Sequence, residues 1–321
     1  MSEPEPRATA IVAGPTASGK SALALAIAEE FGGTIINADS QQVYRDLAVL
    51  SARPDAAETA RVPHRLYGVI DAAESCSAGR WRVLAEAEID AARAAGRLPI
   101  LVGGTGLYLE ALLNGLAELP PIPAAARAEA RALHAQLGAA AFHARLAELD
   151  RAGAARLAPG DTQRVMRAFE VVRVTGRPLS AWQQEQQPDR SLRAAAIVLL
   201  PERAALYRAC DARVLRMTAA GADEEVRALL ARNLSPHLPA MKAVGMRELG
   251  AWLAGSTARD QAVAAMQQAT RRYAKRQYTW FRHRPKNGEI LRRLTIESQF
   301  SESLSPKVFS FIRQSLLTSR S

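Results

Sequence analysis

Gly14-Pro15-Thr16-Ala17-Ser18-Gly19-Lys20-Ser21 has the spacing G-x-x-x-x-G-K-[ST]. An apolar run, Thr9 to Ala13, leads into it, and Ser21 to Phe31 beyond it has helical character. Two glycines, a lysine and a hydroxyl at this spacing arise by chance about once in a hundred chains of this length. Only five of the 42 basic residues are lysine, so a lysine at this place is rarer still. Strand, glycine-rich turn and helix in succession make an anion cradle from backbone N–H groups and the helix N-terminus. Lys20 supplies a point charge to a phosphate, and the Ser21 hydroxyl a ligand for Mg²⁺. The motif points to a polyphosphate. It leaves open which one, and which bond breaks. A plain glycine-rich strand–helix turn is the competing reading.

The alternation continues along the chain. Gly32-Gly33 stops the first helix, and Thr34 to Asn37 is a second strand. A third strand falls near Leu66 to Ile70. Arg80 to Ala95 reads as a helix ended by Gly96, and Leu98 to Val102 as another buried strand. Gly103-Gly104-Thr105-Gly106 then opens a further helix. This order predicts an α/β fold with a P-loop NTPase-like, mostly parallel, doubly wound sheet. Leu119-Pro120-Pro121-Ile122-Pro123 is a stiff joint. From there to about Gln187, Ala, Leu, Arg and Glu dominate and no strand-like run occurs. Gln187-Pro188-Asp189-Arg190 closes this block, and Ala194 to Leu200 is again a buried strand, closed by Pro201. The simplest organisation is a discontinuous core, residues 1–118 and 194–321, with an inserted all-helical subdomain at 119–193. Everything after Glu202 reads as mostly helical. No internal repeat is present.

Ligands of open α/β sheets bind in the crevice at the carboxyl edge of the strands. Asp39, just past the second strand, lies at that edge across from the glycine-rich loop. A carboxylate there holds Mg²⁺ or acts as a general base; an N-cap is the structural alternative. Thr105 lines the same crevice and offers a hydroxyl, although glycine-rich strand–helix turns are common for structural reasons alone.

The stretch from Gln261 to Gly288 holds seven Lys or Arg, four aromatic residues and no acid. Arg271, Lys275, Tyr278 and Arg282 fall on one helical face. That pattern suits phosphate contacts with stacking on base or ribose. The alternative is a solvated face with Trp280 and Phe281 in the core. Arg164 to Arg173 is a second amphipathic helix, capped by Asp161-Thr162 and ended by Gly176. Its arginines fit a phosphate backbone or ordinary solvent exposure equally well.

Lys plus Arg number 42 against 32 Asp plus Glu, a formal charge of +10. The charge fits a polyanionic partner, and an Arg-rich coding bias explains the count equally well. With 48 % hydrophobic and 23 % charged residues, the chain is not of disordered composition. No apolar run approaches the ~20 residues that span a bilayer. The start, Met-Ser-Glu-Pro-Glu-Pro-Arg, is unlike a secretory signal. Cys76 and Cys210 make no C-x-x-C pair, which argues against a zinc ribbon or a disulfide framework. His64, His134, His143, His237 and His283 have no metal-binding spacing. A cytoplasmic protein with reduced, buried thiols is expected.

Taken together, the motifs resemble those of the tRNA dimethylallyltransferases of bacterial type. The resemblance rests on Gly14 to Ser21, Asp39-Ser40-Gln41-Gln42-Val43-Tyr44 and Pro63-His64-Arg65-Leu66. It continues through Leu101 to Tyr108, Asp161 to Glu170, Thr270 to Gln277 and Thr279-Trp280-Phe281-Arg282. It implies transfer of a dimethylallyl group from its diphosphate to N6 of adenosine 37, in tRNAs reading codons that begin with U, with release of pyrophosphate. It implies Asp39 as base on the adenine amine and Thr105 in the reaction channel. Gly14, Thr16, Ala17, Ser18, Gly19, Lys20 and Ser21 would hold the diphosphate, with Arg213 and with Mg²⁺ on Ser21, alone or shared with Asp39. Contacts to tRNA would come from three groups: Asp39, Ser40, Gln41 and Gln42; then Gln163, Arg164 and Arg167; then Lys275, Arg276, Gln277, Trp280 and Arg282. The helical insert would clamp the anticodon stem-loop. The enzyme implied is monomeric, and the P-loop would take a prenyl diphosphate rather than ATP.

The chemistry is consistent with those residues. The leaving group is pyrophosphate, so cations and a P-loop stabilise the charge that develops on it. The allylic carbon carries partial positive charge, so the acceptor amine needs little activation, and a nearby carboxylate takes its proton. The target base must leave the loop stack, at about a few kcal/mol, which a basic stacking surface offsets.

Four stretches depart from the family. Its usual D-I-G-T-A-K-P is here Ala48-Val49-Leu50-Ser51-Ala52-Arg53-Pro54, with Asp46 the nearby acid. Its R-I-x-x-R is here Ala209 with Arg213 retained and Arg208 adjacent. Ser75 to Trp81 replaces Y-S-A-A-D-F, and beyond Arg284 no motif of the family is found, including the eukaryotic zinc finger. Two other function classes share part of the pattern. A small-molecule or nucleotide kinase has the cradle, the Mg²⁺ serine and an Asp on strand two, but no use for the acid-free aromatic helix. A non-enzymatic RNA-binding protein on a P-loop fold would tolerate Asp39→Ala.

Overall fold

The computed structural model describes residues 7–117, 119–185, 192–284 and 291–317. The first six residues, the block end at Gln187-Pro188-Asp189-Arg190 and the stretch Lys286 to Gly288 lie outside the described residues. Six strands form one sheet: β1 (Arg7–Ala13), β2 (Gly33–Asn37), β3 (His64–Arg65), β4 (Leu98–Gly103), β5 (Leu192–Leu199) and β6 (Leu291–Ile296). Their order is β3-β2-β4-β1-β5-β6 and every pairing is parallel. The helices are α1 (Lys20–Phe31), α2 (Ala56–Arg61), α3 (Ala78–Ala94), α4 (Gly106–Asn114), α5 (Ala124–Leu149), α6 (Arg151–Ala154) and α7 (Thr162–Thr175). They continue as α8 (Leu179–Gln184), α9 (Arg203–Ala219), α10 (Ala222–Ala231), α11 (Met246–Leu253), α12 (Arg259–His283) and α13 (Ser305–Ile312).

Parallel pairing requires crossovers, and the crossover helices cover both sheet faces. The strands read accordingly. Ile11, Ile36, Leu101 and Val198 point into one core with Trp81 and Ile89 of α3 and Phe281 of α12. Val12, Ile35, Ile100 and Ile197 point into the other with Leu23 and Ile27 of α1 and Ile312 of α13. Val12 pairs with Val102 of β4 and Ile197 of β5, so β1 is central. The glycine-rich loop therefore leaves the middle of the sheet at its carboxyl edge. The helix after it stops because Gly32 takes a left-handed φ of 61° and returns its N–H to Ala28.

One expectation is corrected. The strand expected over Leu66–Ile70 is only His64–Arg65, because Leu66 and Gly68 both turn left-handed at φ 63°. The chain comes back to the sheet once more as an isolated bridge between Ile70 and Tyr44. The region after Glu202 is mostly helical as expected, and Leu291–Ile296 adds the edge strand β6 beside β5. Only its end residues Leu291 and Ile296 are buried, and Arg292 and Arg293 between them obscure the period-2 signal.

Two compact units result, Met1–Leu113 with Asp189–Ser321, and Asn114–Pro188. The second contains helices and no strand among its described residues. Its core joins Phe142 and Leu146 to Val165 and Phe169, the two phenylalanine rings 4.9 Å apart. Asp161 stands at the start of α7 but its side chain makes no cap hydrogen bond; it lies 3.5 Å from Arg164 instead. Gly176 ends that helix at φ 68°.

Candidate active site

Gly14 to Ser21 turn from β1 into α1, with Gly19 left-handed at φ 91° before the helix. Lys20 begins α1 and its Nζ donates to the Pro15 carbonyl at 2.7 Å. Burial pushes the Lys20 ammonium down to about 8, with the Asp39 carboxylate opposing and the Arg213 guanidinium adding to the shift. The Ser18 hydroxyl is buried and has no hydrogen-bond partner. Ser21 is exposed on the first turn of α1.

Asp39 is fixed by Asn37, the last residue of β2. The Asn37 Oδ1 accepts from the Asp39 N–H at 2.9 Å, and its Nδ2 donates to the carbonyls of Asp39 and Leu66 at 3.0 and 3.1 Å. Trp81, stacked on Tyr108 at 4.6 Å, donates its indole N–H to the Asn37 carbonyl at 2.8 Å. One Asp39 oxygen accepts the Gln41 N–H at 2.9 Å, an Asx turn. The Thr105 hydroxyl accepts from the Ser40 N–H at 2.9 Å and donates to the Ser40 hydroxyl at 3.2 Å. Tyr273 of α12 lines the cleft with Asp39, and burial together with the Asp39 charge raises its phenol, so it stays protonated.

Gln277 joins the two halves of the crevice. Its Oε1 accepts from the Thr16 N–H at 2.8 Å and its Nε2 donates to the Gly104 carbonyl at 2.9 Å. A Cβ on Gly104 would lie 2.2 Å from that Nε2, and one on Gly106 would lie 2.4 Å from the Trp280 ring. Both glycines are thus set by close approach of α12. Arg213 of α9 donates to the Ser51 carbonyl at 2.7 Å, and burial pushes its guanidinium below the ordinary arginine range. A narrow cleft among these groups is lined by polar Thr16, Asp39, Gln41, Ser51, Arg213, Thr270 and Tyr273 and by apolar Leu50, Met217, Val244 and Met266.

Several residues stand elsewhere than sequence suggested. Arg271 pairs with Asp211 of α9, and Tyr278 lies 5.4 Å under the Arg203 guanidinium, so neither is on the open face of α12. That face carries Arg272, Lys275, Arg276 and Thr279 along an open groove, with Arg282 exposed one turn on. Gln277 is only 6 % exposed and Phe281 is fully buried, while Trp280 is half-buried and edge-on to Phe281 at 4.7 Å. Gln42 donates to the Ser51 and Ala52 carbonyls. Asp46 is engaged by Arg232 at 2.5 Å and by the Ala72 N–H at 3.0 Å. Arg208 is exposed on α9, and Ala209 leaves Arg213 as the arginine of that pattern in the cleft. Cys210 is buried and Cys76 half-buried, both as free thiols. In the helical unit Gln163 and Arg164 are exposed on α7, and Arg167 is 3.4 Å from Glu170. Asn37, Tyr273 and Ser51 were not apparent from sequence. Asn37 alone had a local signal, an amide side chain at a strand end two residues before a carboxylate. Among the described residues no cluster of three or more His, Cys, Asp or Glu could hold a metal, and no helix is long and apolar enough to cross a membrane.

Comparison with known proteins gives one consistent result. Residues 42–284 match the family described as IPP transferase. A tRNA dimethylallyltransferase of Rhodospirillum centenum is 59 % identical over 282 residues, 87 % of this chain and 90 % of that protein. One of Rhodospirillum rubrum is 55 % identical over 313 residues, 97 % of this chain and 96 % of that protein. The crystal structure of the full-length tRNA isopentenylpyrophosphate transferase of Bacillus halodurans is 30 % identical with a TM-score of 0.68, covering 97 % of each chain. With a glycine-rich loop, an Asp39 loop and a basic helix assembled on a parallel sheet, this chain belongs to the IPP transferase family.

Proposed function

We propose that the protein transfers the dimethylallyl group of dimethylallyl diphosphate to N6 of adenosine 37 in the anticodon loop of tRNAs reading codons that begin with U. The observation that carries this is one cleft lined by Thr16 of the glycine-rich loop, by the Asp39 carboxylate and by the Arg213 guanidinium, with Lys20 tied to the same loop through the Pro15 carbonyl. Relatives at 59 % and 55 % identity named tRNA dimethylallyltransferase support the same substrate pair.

The residues divide the work as follows. The P-loop amides, the unsatisfied Ser18 hydroxyl and Lys20 receive the diphosphate, and Arg213 adds a second charge from α9. The bond from the allylic carbon to the diphosphate oxygen breaks as the bond from N6 to that carbon forms. The electron pair leaves with pyrophosphate, and the N6 proton passes to Asp39. Asn37 and Thr105 hold the Asp39 loop in place, and Tyr273 is kept neutral, with its O–H proton retained. The donor set fits Mg²⁺: Ser21 stands on the first turn of α1 with Asp39 across the crevice. These two side chains would hold the ion together with substrate phosphates. When bound, Mg²⁺ neutralises charge on the leaving pyrophosphate. The exposed face of α12 and the helical unit are the tRNA-contacting surfaces in this reading, and a monomer in the cytoplasm suffices for it.

The test incubates purified protein with Mg²⁺, dimethylallyl diphosphate and unmodified tRNA bearing adenosine 37. Mass spectrometry of the digested tRNA is expected to show N6-dimethylallyladenosine, and its yield to fall by about a hundredfold or more with Asp39→Ala. Folded wild-type protein that gives none of the modified nucleoside would refute the proposal.

A further inference from the structure

Glu225 lies in the first turn and a half of α10 and has no part in the mechanism above. Its carboxylate accepts three consecutive backbone N–H groups. Oε2 takes those of Ala48 and Val49 at 2.6 and 2.8 Å, and Oε1 takes that of Leu50 at 2.9 Å. Successive N–H groups pointing one way form an anion-seeking concavity. Here the anion is the chain's own, and such charge-assisted bonds are about twice as strong as neutral ones.

The turn held in this way is short and closed on itself. The Arg53 N–H donates to the Ala48 carbonyl at 3.0 Å and the Ala52 N–H to the Val49 carbonyl at 2.9 Å. The Ser51 hydroxyl donates to the Leu47 carbonyl. Ala52 sits at φ 47°, a left-handed conformation that costs an alanine about 1 kcal/mol. The turn therefore needs outside support, and Glu225 gives it. The Ser51 carbonyl is the output. It accepts from Arg213 Nη2 at 2.7 Å and from Gln42 Nε2 at 3.1 Å. Arg213 makes no ion pair among the described residues, so the Ser51 carbonyl fixes where its guanidinium points. The turn has alanine at position 48 and takes its carboxylate from α10 instead.

We propose that Glu225 is a positioning residue for the diphosphate: through the 48–53 turn it holds the Ser51 carbonyl and so aims Arg213 into the cleft. The inference rests on the diphosphate reading of that cleft. Gln at 225 keeps the shape but turns an amide donor toward backbone N–H groups. The turn loosens, and Arg213 loses its fixed acceptor.

The test uses the full-length protein, titrated with pyrophosphate and Mg²⁺ in a calorimeter, alongside transfer kinetics and tRNA binding. Glu225→Gln is expected to weaken pyrophosphate binding and raise the KM for dimethylallyl diphosphate by about tenfold. Affinity for tRNA should stay within about twofold. Glu225→Asp, charged but shorter, should fall between Gln and wild type. In an Arg213→Gln background, Glu225→Gln should add no further loss, since both act through one group. Independent, additive losses would overturn the proposal. So would wild-type pyrophosphate affinity in Glu225→Gln, or an equal fall in tRNA affinity, which would mark Glu225 as general support. If Glu225→Gln does not fold, Glu225→Asp carries the same cycle with Arg213→Gln. A wild-type protein that binds no pyrophosphate rejects the diphosphate reading itself, which separates the two failures.

Discussion

Lys20 is held below its ordinary value, at about 8 against 10.5, chiefly by burial. The sign of its effect on stability follows. The unfolded chain binds more protons than the folded one between those values, so stability rises with pH across that window and the full penalty is present below it. Lys20→Met is therefore expected to melt higher than wild type at pH 7 in a scanning calorimeter. That advantage should shrink as pH rises from about 8 toward 10.5. The same variant should lose prenyl transfer by about a hundredfold or more. A lower melting temperature at pH 7 would show that the ammonium stabilises the fold. Gln277 shows a different dependence. Gln277→Glu keeps an acceptor for the Thr16 N–H but sets a carboxylate oxygen against the Gly104 carbonyl. A loss of about 1–3 kcal/mol is expected in chemical denaturation. Weaker pyrophosphate binding should accompany it, with little change in affinity for tRNA. The glycine-rich turn and the Asp39 turn were legible in the chain because each is made by residues adjacent in sequence, whereas Thr105 meets Ser40 from 65 positions away. Gln277 was legible only as one member of a basic run, since its partners are 261 and 173 positions away. A finer reading was available: Thr270, Ala274, Gln277 and Phe281 recur at helical spacing, and all four are buried.

Helix α12 serves the crevice with one face and solvent with another. The inward face carries Tyr273, Gln277, Trp280 and Phe281 against Thr105, Thr16, Gly106 and the core. The outward face carries Arg272, Lys275 and Arg276. Charge and burial are divided between faces, so mutations should divide too. Lys275→Ala and Arg276→Ala should weaken tRNA binding uniformly across sequences and each lower the salt slope by about one. Pyrophosphate binding should remain unchanged. A salt slope identical to wild type would remove this face from the tRNA surface. Gly106→Ala tests the other face. Its methyl would overlap the Trp280 ring, and a cost of about 1–3 kcal/mol is expected in denaturant unfolding. Sequence found the acid-free stretch that begins at Gln261, yet placed Arg271 and Tyr278 on the open face. Their actual neighbours, Asp211 and Arg203, belong to α9, and helical periodicity alone does not say which neighbour packs where.

The sheet has two apolar faces, and the chain covers one of them with its last described segment. Alternation of strands and helices predicts the parallel sheet, because each parallel crossover leaves a mark of its own in the sequence. The closing segment leaves a weaker mark. β6 is an arginine-bearing edge strand, and α13 is a single short helix. Their place comes from packing: Phe309 meets Phe31 of α1 edge-on at 5.6 Å, and Arg313 pairs with Glu30. Val308 and Ile312 complete the core under α1, while Phe300 lies against Gly19 and Gln299 donates to the Ala17 carbonyl. The closing segment thus both seals the second core and borders the anion cradle. Ile312→Ala removes a fully buried side chain beneath α1, so about 2–5 kcal/mol should be lost in urea unfolding. Because α1 begins at Lys20, that loss should also reach the glycine-rich loop, through looser seating of the helix that follows it, and so the diphosphate site proposed there. Pyrophosphate should therefore raise the melting temperature of Ile312→Ala by less than it raises that of wild type, at equal ligand concentration. An equal rise in both would mean that the closing segment stabilises the fold without influencing the cradle.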